Sequence, residues 1–100
     1  MSKTYVIQIG NSDNKLSQKE WSEFVEMTGK MLFSFASTVH FNGGSDGRAR
    51  WQNHCFVAQV DEPNHEPKIM WAIQKLAEQY RQDSIAVIAG ETQFVTPTKA

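Results

Sequence analysis

The spacing of apolar residues switches between a period of two and a period near 3.6 along this chain, and this switching constrains the fold more than any other feature. Segments with a period of two predict strands, and segments with helical spacing predict amphipathic helices. The predicted strands are 4–10, 35–41, 54–60 and 84–89. One predicted helix starts at the Ser17 cap and has its apolar face from Trp21 to Leu32, and the second runs from Pro67 to Tyr80.

This order, β-α-β-β-α-β, predicts an α+β domain of the ferredoxin-like type, the split βαβ. Right-handed crossovers would place both helices on one face of an antiparallel sheet. Phe94 and Val95 are predicted to add a short edge strand. Residues 1–96 are expected to form a single domain and 97–100 a frayed tail, since 100 residues suit one core.

The start of the first helix carries the clearest local signal. Ser17 is followed three residues later by Glu20, which is the spacing of a capping box. Leu16 and Trp21 flank this box and can form a hydrophobic staple across it. The sequence therefore predicts that the helix begins directly after Ser17.

Composition excludes several classes of protein. A formal charge of −1 argues against binding of nucleic acid by bulk charge, because such domains are usually strongly basic. The single cysteine rules out a disulfide within the chain and a Cys-x-x-Cys pair. The first residues do not resemble a signal peptide, and no apolar run reaches the length of a membrane span. We expect a cytoplasmic protein without a cofactor or a bound metal.

The segment between the second and third predicted strands is the first candidate site. Residues 42–53 would form a twelve-residue connection where two to five residues usually suffice, and long connections are often functional. Its glycines allow close backbone approach, its arginines suit phosphate or carboxylate, and its tryptophan and amides suit stacking and hydrogen bonding. The candidate binding residues are Gly44, Ser45, Asp46, Arg48, Arg50, Trp51, Gln52 and Asn53. A solvated hairpin tip is the competing interpretation.

The sheet face away from the helices is the second candidate site. It is predicted to carry Val6, Gln8, Thr38, His40, Cys55, Val57, Gln59 and either Ala86 or Ile88. Half of these residues are apolar, so pairing with a second copy through this face and a monomer that tolerates it both stay open.

The expected strand register places His40 opposite Cys55 on that face, with Val39 facing Phe56 and Phe41 facing His54. Directly opposed residues lie close together, and an imidazole can activate a thiol as a nucleophile. A structural cysteine is the more common situation. The three histidines form no recognisable set of metal ligands.

Trp71 lies on the polar side of the second predicted helix, about 200° from Ile69. An exposed tryptophan often marks a protein interface, although its ring can also lie flat over neighbouring side chains.

Three short runs carry a family resemblance: Ser17–Trp21, Trp51–Phe56 and Tyr80–Ile85. Their sequences and spacing resemble small uncharacterised ferredoxin-like proteins of bacteriophages and their bacterial hosts. The resemblance implies a class, that of small accessory proteins that inhibit host or defence machinery by binding a protein or sequestering a nucleotide. It implies no catalytic residues.

Three functions follow as hypotheses. The first is a non-enzymatic protein that binds a host protein through residues 42–53, as a phage-type inhibitor does. The second is a protein that binds or sequesters a small anionic ligand, such as a nucleotide, with the same residues. The third is a small cysteine-dependent enzyme that uses His40 and Cys55.

Overall fold

A computed structural model describes residues 2–11, 15–36, 38–45 and 52–97. Within these residues the chain forms four strands, two α-helices and one short 3-10 turn, in the order that the sequence predicts. The elements are β1 Lys3–Asn11, α1 Gln18–Phe35, β2 Thr38–Ser45, β3 Gln52–Val60, the 3-10 turn Pro63–His65, α2 Glu66–Gln79 and β4 Ala86–Glu91. The prediction of an α+β fold with an antiparallel sheet and two helices is confirmed.

The strands lie in the order β2-β3-β1-β4, and every neighbouring pair is antiparallel. The central strands β1 and β3 pair along their whole length, from Lys3 opposite Val60 to Asn11 opposite Gln52. Because β2 and β4 are the outer strands of the described sheet, the backbone groups along their outer edges have no strand partner within it.

One core lies between the sheet and both helices. Alternate residues of β1 and β3 are buried, and they form a single cluster with the apolar stripes of α1 and α2. The buried residues are Tyr5, Ile7, Ile9, Leu16, Trp21, Phe24, Leu32, Phe56, Ala58, Val60, Ile69, Ile73, Leu76 and Tyr80. Both helices therefore cover the same face of the sheet, and the other face is left open.

The predicted start of α1 is confirmed. The Ser17 hydroxyl accepts a hydrogen bond from the Glu20 backbone N–H at 3.1 Å, and the Glu20 carboxylate accepts one from the Ser17 N–H at 3.2 Å. These two bonds satisfy donors that a helix start otherwise leaves without partners.

The predicted strands differ from the observed ones at several boundaries. Phe35, predicted as the first residue of a strand, ends α1, because it lies one turn beyond Leu32 and packs on the same core. The last strand was predicted as 84–89 but runs from Ala86 to Glu91, because Gly90 and Glu91 pair with Thr4 and Lys3 and so do not form a turn. Phe94 and Val95 form no strand, and both side chains are exposed.

The predicted register of β2 on β3 is also wrong, by two residues. Val39 lies opposite Ala58, His40 opposite Val57 and Phe41 opposite Phe56. A shift of two residues leaves every side chain on its original face, so the apolar pattern that set the prediction cannot detect it. The observed register extends the ladder from Thr38–Gln59 to Ser45–Gln52, which pairs more backbone groups than the predicted one.

Candidate functional site

The longer ladder shortens the predicted loop. Gly44 and Ser45 belong to β2, while Gln52 and Asn53 belong to β3, so residues 46–51 alone connect the two strands. The candidate residues Asp46, Arg48, Arg50 and Trp51 lie outside the described residues. The structure therefore defines the base of this hairpin and not the contacts of its tip.

A network of side-chain amides anchors the base of the hairpin. Gln52 and Gln18 exchange two hydrogen bonds, at 3.1 and 3.2 Å, which join the start of β3 to the first turn of α1. The Gln52 side-chain oxygen Oε1 also accepts a hydrogen bond from the Asn11 side-chain amide, with 3.4 Å between Oε1 and Nδ2. Gln52 thus uses much of its hydrogen-bonding capacity within the protein, which the sequence did not indicate.

Asn11 is the buried centre of this network. Its side chain accepts a hydrogen bond from the Leu16 N–H at 2.8 Å and donates one to the Leu16 carbonyl at 3.1 Å. A buried amide that satisfies both backbone groups of Leu16 ties the end of β1 to the residue that precedes the cap of α1. The predicted strand 4–10 ends just before Asn11, and the amide side chain of Asn11 was the only signal in the sequence for this role.

Arg81 joins the end of α2 to the same region. Its guanidinium lies 3.0 Å from the Glu20 carboxylate and 3.4 Å from the Lys15 carbonyl oxygen. The guanidinium, together with the Ser17 N–H, holds the pKa of Glu20 below its usual range. Arg81 adopts a left-handed backbone, with φ of 54°, which lets the chain turn at once from α2 toward β4.

These contacts define a cluster at the start of α1, formed by Asn11, Gln18, Glu20, Gln52 and Arg81. A polar cavity of about 190 Å³ adjoins it and is lined by Lys15, Arg81, Gln82, Asp83 and Ser84. Lys15 lies 3.8 Å from Asp83 and Arg81 pairs with Glu20, so both cations have acidic partners and the cavity suits a small polar ligand that can share or displace them. This cavity was not predicted from the sequence. The one available signal was a basic residue, Arg81, directly after the second predicted helix.

The open sheet face has a polar border and an apolar centre. Val57 and Ile88 lie on either side of Val6 in one row across the strands, and their side chains are 37% and 65% exposed. β2 adds His40 at the position opposite Val57. No Asp, Glu, Lys or Arg occupies this face in the described strands, because Lys3 and Glu91 point to the helix side.

Cys55 lies on this face at a position opposite Asn42 and Gln8, and its side chain is partly buried. The predicted pairing of Cys55 with His40 is therefore wrong, since His40 lies opposite Val57. His54, on the helix side, has its pKa lowered by burial, so its imidazole is mostly neutral at pH 7. Residues 2–11, 15–36, 38–45 and 52–97 contain no group of three metal-ligating side chains.

Trp71 lies on the outer surface of α2, and 61% of it is exposed. The Lys75 ammonium lies 5.6 Å from the centre of its ring. The ring is therefore accessible, as its helical position predicts, and it is not part of the core.

A partly exposed ion pair lies at the opposite end of the sheet. The Lys3 ammonium lies 2.5 Å from a Glu66 carboxylate oxygen at the start of α2. This bond raises the pKa of Lys3 and lowers that of Glu66, while burial and then the Glu66 charge raise the pKa of Tyr5. We assign this group a structural role, since a carboxylate in the first turn of a helix is favourable there. In the part of the chain that is described, no helix could cross a bilayer.

Comparison with known proteins supports the fold and names no function. No family model matches the chain, and no curated protein is similar to it in sequence. Similar folds occur in an unknown protein from Galdieria sulphuraria, with a TM-score of 0.57 at 9% identity, over 92% of this chain and 49% of that one. The chain thus spans about half the length of that protein.

Two further structures are similar over most of both chains. A dimeric ferredoxin-like protein of unknown function from Thermobifida fusca has a TM-score of 0.58 at 9% identity, over 91% of this chain and 92% of that one. A phage SAM lyase in complex with S-methyl-5'-thioadenosine has a TM-score of 0.56 at 10% identity, over 90% and 81%. At these identities the likeness shows the fold alone, and uncharacterised proteins are among the neighbours, as the sequence resemblance implies.

Proposed function

We propose that this chain is a non-enzymatic binding protein that pairs with a second copy through its open sheet face and binds a partner with the hairpin 42–53. The observation that carries the proposal is the neutral sheet face with Val57, Val6 and Ile88 in a row across its centre. Exposed apolar side chains in a continuous row favour an interface, whereas single ones are normal on any surface.

A second copy is the occupant that suits this face best. In a twofold dimer the same patch meets itself, so any formal charge near its centre would meet a like charge. The described strands place no charged side chain there. Strands about 4.8 Å apart that rise about 3.3 Å per residue give the face roughly 550 Å² in projection, and side-chain relief adds to this. Stable interfaces bury about 800 Å² per partner, so the face is close to sufficient.

We also propose that the fold is the ferredoxin-like split βαβ. The strand order β2-β3-β1-β4 with both helices on one face is what a ferredoxin-like split βαβ requires. The Thermobifida fusca neighbour is described as ferredoxin-like and as dimeric. This likeness supports the assignment without identifying the interface that the present chain uses.

The hairpin is the element that we assign to the partner. Its base is held by the Asn11–Gln18–Gln52 network, so side chains near the start of β3 would lose less conformational entropy on binding than those of an unanchored loop. The segment contains Arg48, Arg50 and Trp51, and arginine and tryptophan are enriched among interface hot spots. Together with the resemblance to phage proteins, this favours an inhibitor of a host or defence protein in the bacterial cytoplasm.

The pairing is tested by a single charge on the face. Val57→Lys should convert a dimer, with a mass near twice 11.4 kDa, into a folded monomer. The unpaired ammonium would be buried in both copies, and we expect the dimer dissociation constant to rise at least about a hundredfold. Light scattering across a concentration series measures this. Ser22→Lys is the matched control, because it adds the same charge at an exposed position of α1 and should leave the dimer intact.

A monomeric unmodified protein at the highest concentrations that stay in solution would contradict the pairing. Equal weakening by Ser22→Lys and Val57→Lys would assign the effect to net charge. Loss of the pairing would leave the hairpin proposal standing, because partner binding is tested by different variants.

The second candidate function is binding of a small nucleoside-like or anionic ligand. The observation that favours it is the polar cavity of about 190 Å³ beside Arg81, close to the base of the hairpin. The phage SAM lyase of similar fold was solved with S-methyl-5'-thioadenosine, which makes nucleosides reasonable probes. A ligand present at about 100 times its dissociation constant stabilises a protein by roughly 2.7 kcal/mol, so thermal unfolding detects it.

Hairpin variants distinguish a protein partner from a small ligand. Arg50→Ala and Trp51→Ala should each weaken binding of a partner captured from bacterial lysate by about 2 kcal/mol, or roughly thirtyfold, while Ser45→Ala should have little effect. Denaturation curves of the same variants control for stability. If the double variant Arg50→Ala, Trp51→Ala is stable and still binds the captured partner with full affinity, the hairpin is not the binding site. A thermal shift with S-methyl-5'-thioadenosine, without a captured protein, would favour the second candidate.

A further inference from the structure

Trp71 stands between three shallow grooves on the helical side of the molecule. One groove lies between α2 and β4, with a volume of about 480 Å³, and its apolar lining includes Met70, Ile73 and Val87. A second groove of about 290 Å³ lies between α1 and α2, beside Met27 and Leu76. A third, of about 520 Å³, lies between Phe35 and Pro67. Trp71 lines all three.

We call the exposed side chains of Trp71, Met70 and Met27 the Trp71 ridge. Both methionines are 43% exposed, so the ridge offers flexible thioethers beside a rigid indole. Methionine side chains adapt to different partner shapes, and tryptophan is enriched at interface hot spots. This composition suits a protein-binding surface better than a solvated helix face.

The charged residues that line the three grooves are all lysines. Lys30 and Lys75 line the groove between the helices, and Lys68 lines the third groove. No described carboxylate lines any of the three grooves. Lys30 pairs with Glu26 at 3.0 Å and Lys75 with Glu78 at 3.4 Å, but both pairs are exposed and contribute little, so a partner can displace them.

We infer that the Trp71 ridge binds an acidic amphipathic segment of a protein partner. Apolar side chains of that segment would occupy the grooves beside Trp71, and its carboxylates would pair with Lys30, Lys68 and Lys75. The groove between α1 and α2 is bounded by two helices, which suits a third helix that presents anchors at i, i+3, i+4 and i+7. The surface lies on the opposite side of the sheet from the open face, so both can be occupied together.

A membrane surface is the less favoured occupant. Lysine and tryptophan on a helix face also occur in proteins that bind anionic lipid. A helix that binds a bilayer buries a broad apolar face, whereas the ridge consists of three exposed apolar side chains flanked by grooves. Grooves of this kind are filled by protruding side chains and not by lipid headgroups.

Selection from a display library of random peptides tests the inference without knowledge of the natural partner. The complete protein is immobilised, and peptides that bind the support without the protein are removed. The enriched peptides should carry net negative charge and apolar residues at helical spacing. Synthetic copies should bind the unmodified protein at least about tenfold more tightly than Trp71→Ala or Lys75→Glu, and added salt should weaken them.

Two matched variants control for nonspecific effects. Phe33→Ala removes an aromatic side chain from α1 with the same exposure, 61%, as Trp71, and Lys19→Glu inverts an exposed charge away from the grooves. Both should keep the affinity of the unmodified protein. Enriched peptides without an acidic bias, or equal binding to Trp71→Ala, would overturn the inference. The inference would also be overturned if the protein bound vesicles of anionic phosphatidylserine more tightly than the selected peptides, and if Trp71→Ala and Lys75→Glu abolished that vesicle binding.

Discussion

Phe24→Ala is expected to lower the free energy of unfolding by about 4 kcal/mol, the largest effect of any single change proposed for this chain. Phe24 is 0% exposed. Its ring stacks on Tyr80 with centroids 4.7 Å apart and meets Trp21 edge-on at 6.1 Å. Removal would leave a cavity between α1, the end of α2 and the sheet, and would also remove both aromatic contacts.

Urea denaturation measures the effect, and Phe33→Ala is the control on the same helix. Phe33 is largely exposed, so the same deletion should reduce stability by less than about 1 kcal/mol. Equal losses in the two variants would mean that Phe24 does not lie in the core and that the assigned face of α1 is wrong.

The helices were the most predictable part of the fold. The cap at Ser17 and the stripe that contains Trp21, Phe24 and Leu32 depend on contacts within a few residues of chain, so local spacing identifies them. The predicted apolar face of α1 is confirmed by burial. The end of α1 was less predictable, because Phe35 fits the end of a helical stripe and the start of an alternating segment equally well.

Strand pairing was less predictable, because it depends on residues far apart in the chain. A shift of two residues between β2 and β3 changes no face, so nothing in the apolar pattern distinguishes His40 opposite Cys55 from His40 opposite Val57. Similarly, Gly90 favours a turn locally, but its pairing with Thr4 extends β4 through it. Tertiary pairing overrides local preference in both cases.

The candidate site was only partly predictable for the same reason. Trp71 could be placed on an exposed face from helical spacing alone. The cluster at the start of α1 could not be foreseen, since Asn11, Gln52 and Arg81 come from three separate parts of the sequence. Polar side chains carry no periodic signal, and only the packed structure brings them together.

Asn11→Ala is expected to lower the free energy of unfolding by about 3 kcal/mol. Asn11 is 0% exposed, and its amide satisfies both the N–H and the carbonyl of buried Leu16. Alanine would leave both groups buried without partners, and each such group costs about 1–3 kcal/mol. Urea denaturation again measures the loss. Asn53→Ala is the control, because it removes the same amide from a less buried position opposite Gly10.

Asn11→Asp separates hydrogen bonding from side-chain volume. Near neutral pH the carboxylate would accept from the Leu16 N–H but face the Leu16 carbonyl without a proton to donate. Burial and that carbonyl should raise the pKa of the new carboxyl in the folded state above its unfolded value. The stability of Asn11→Asp relative to Asn11→Ala should therefore rise as pH falls through the folded-state pKa, and be lost again as pH rises. A difference between the two variants that does not change with pH would contradict the assigned geometry at Leu16, and with it the anchoring of the hairpin through Asn11.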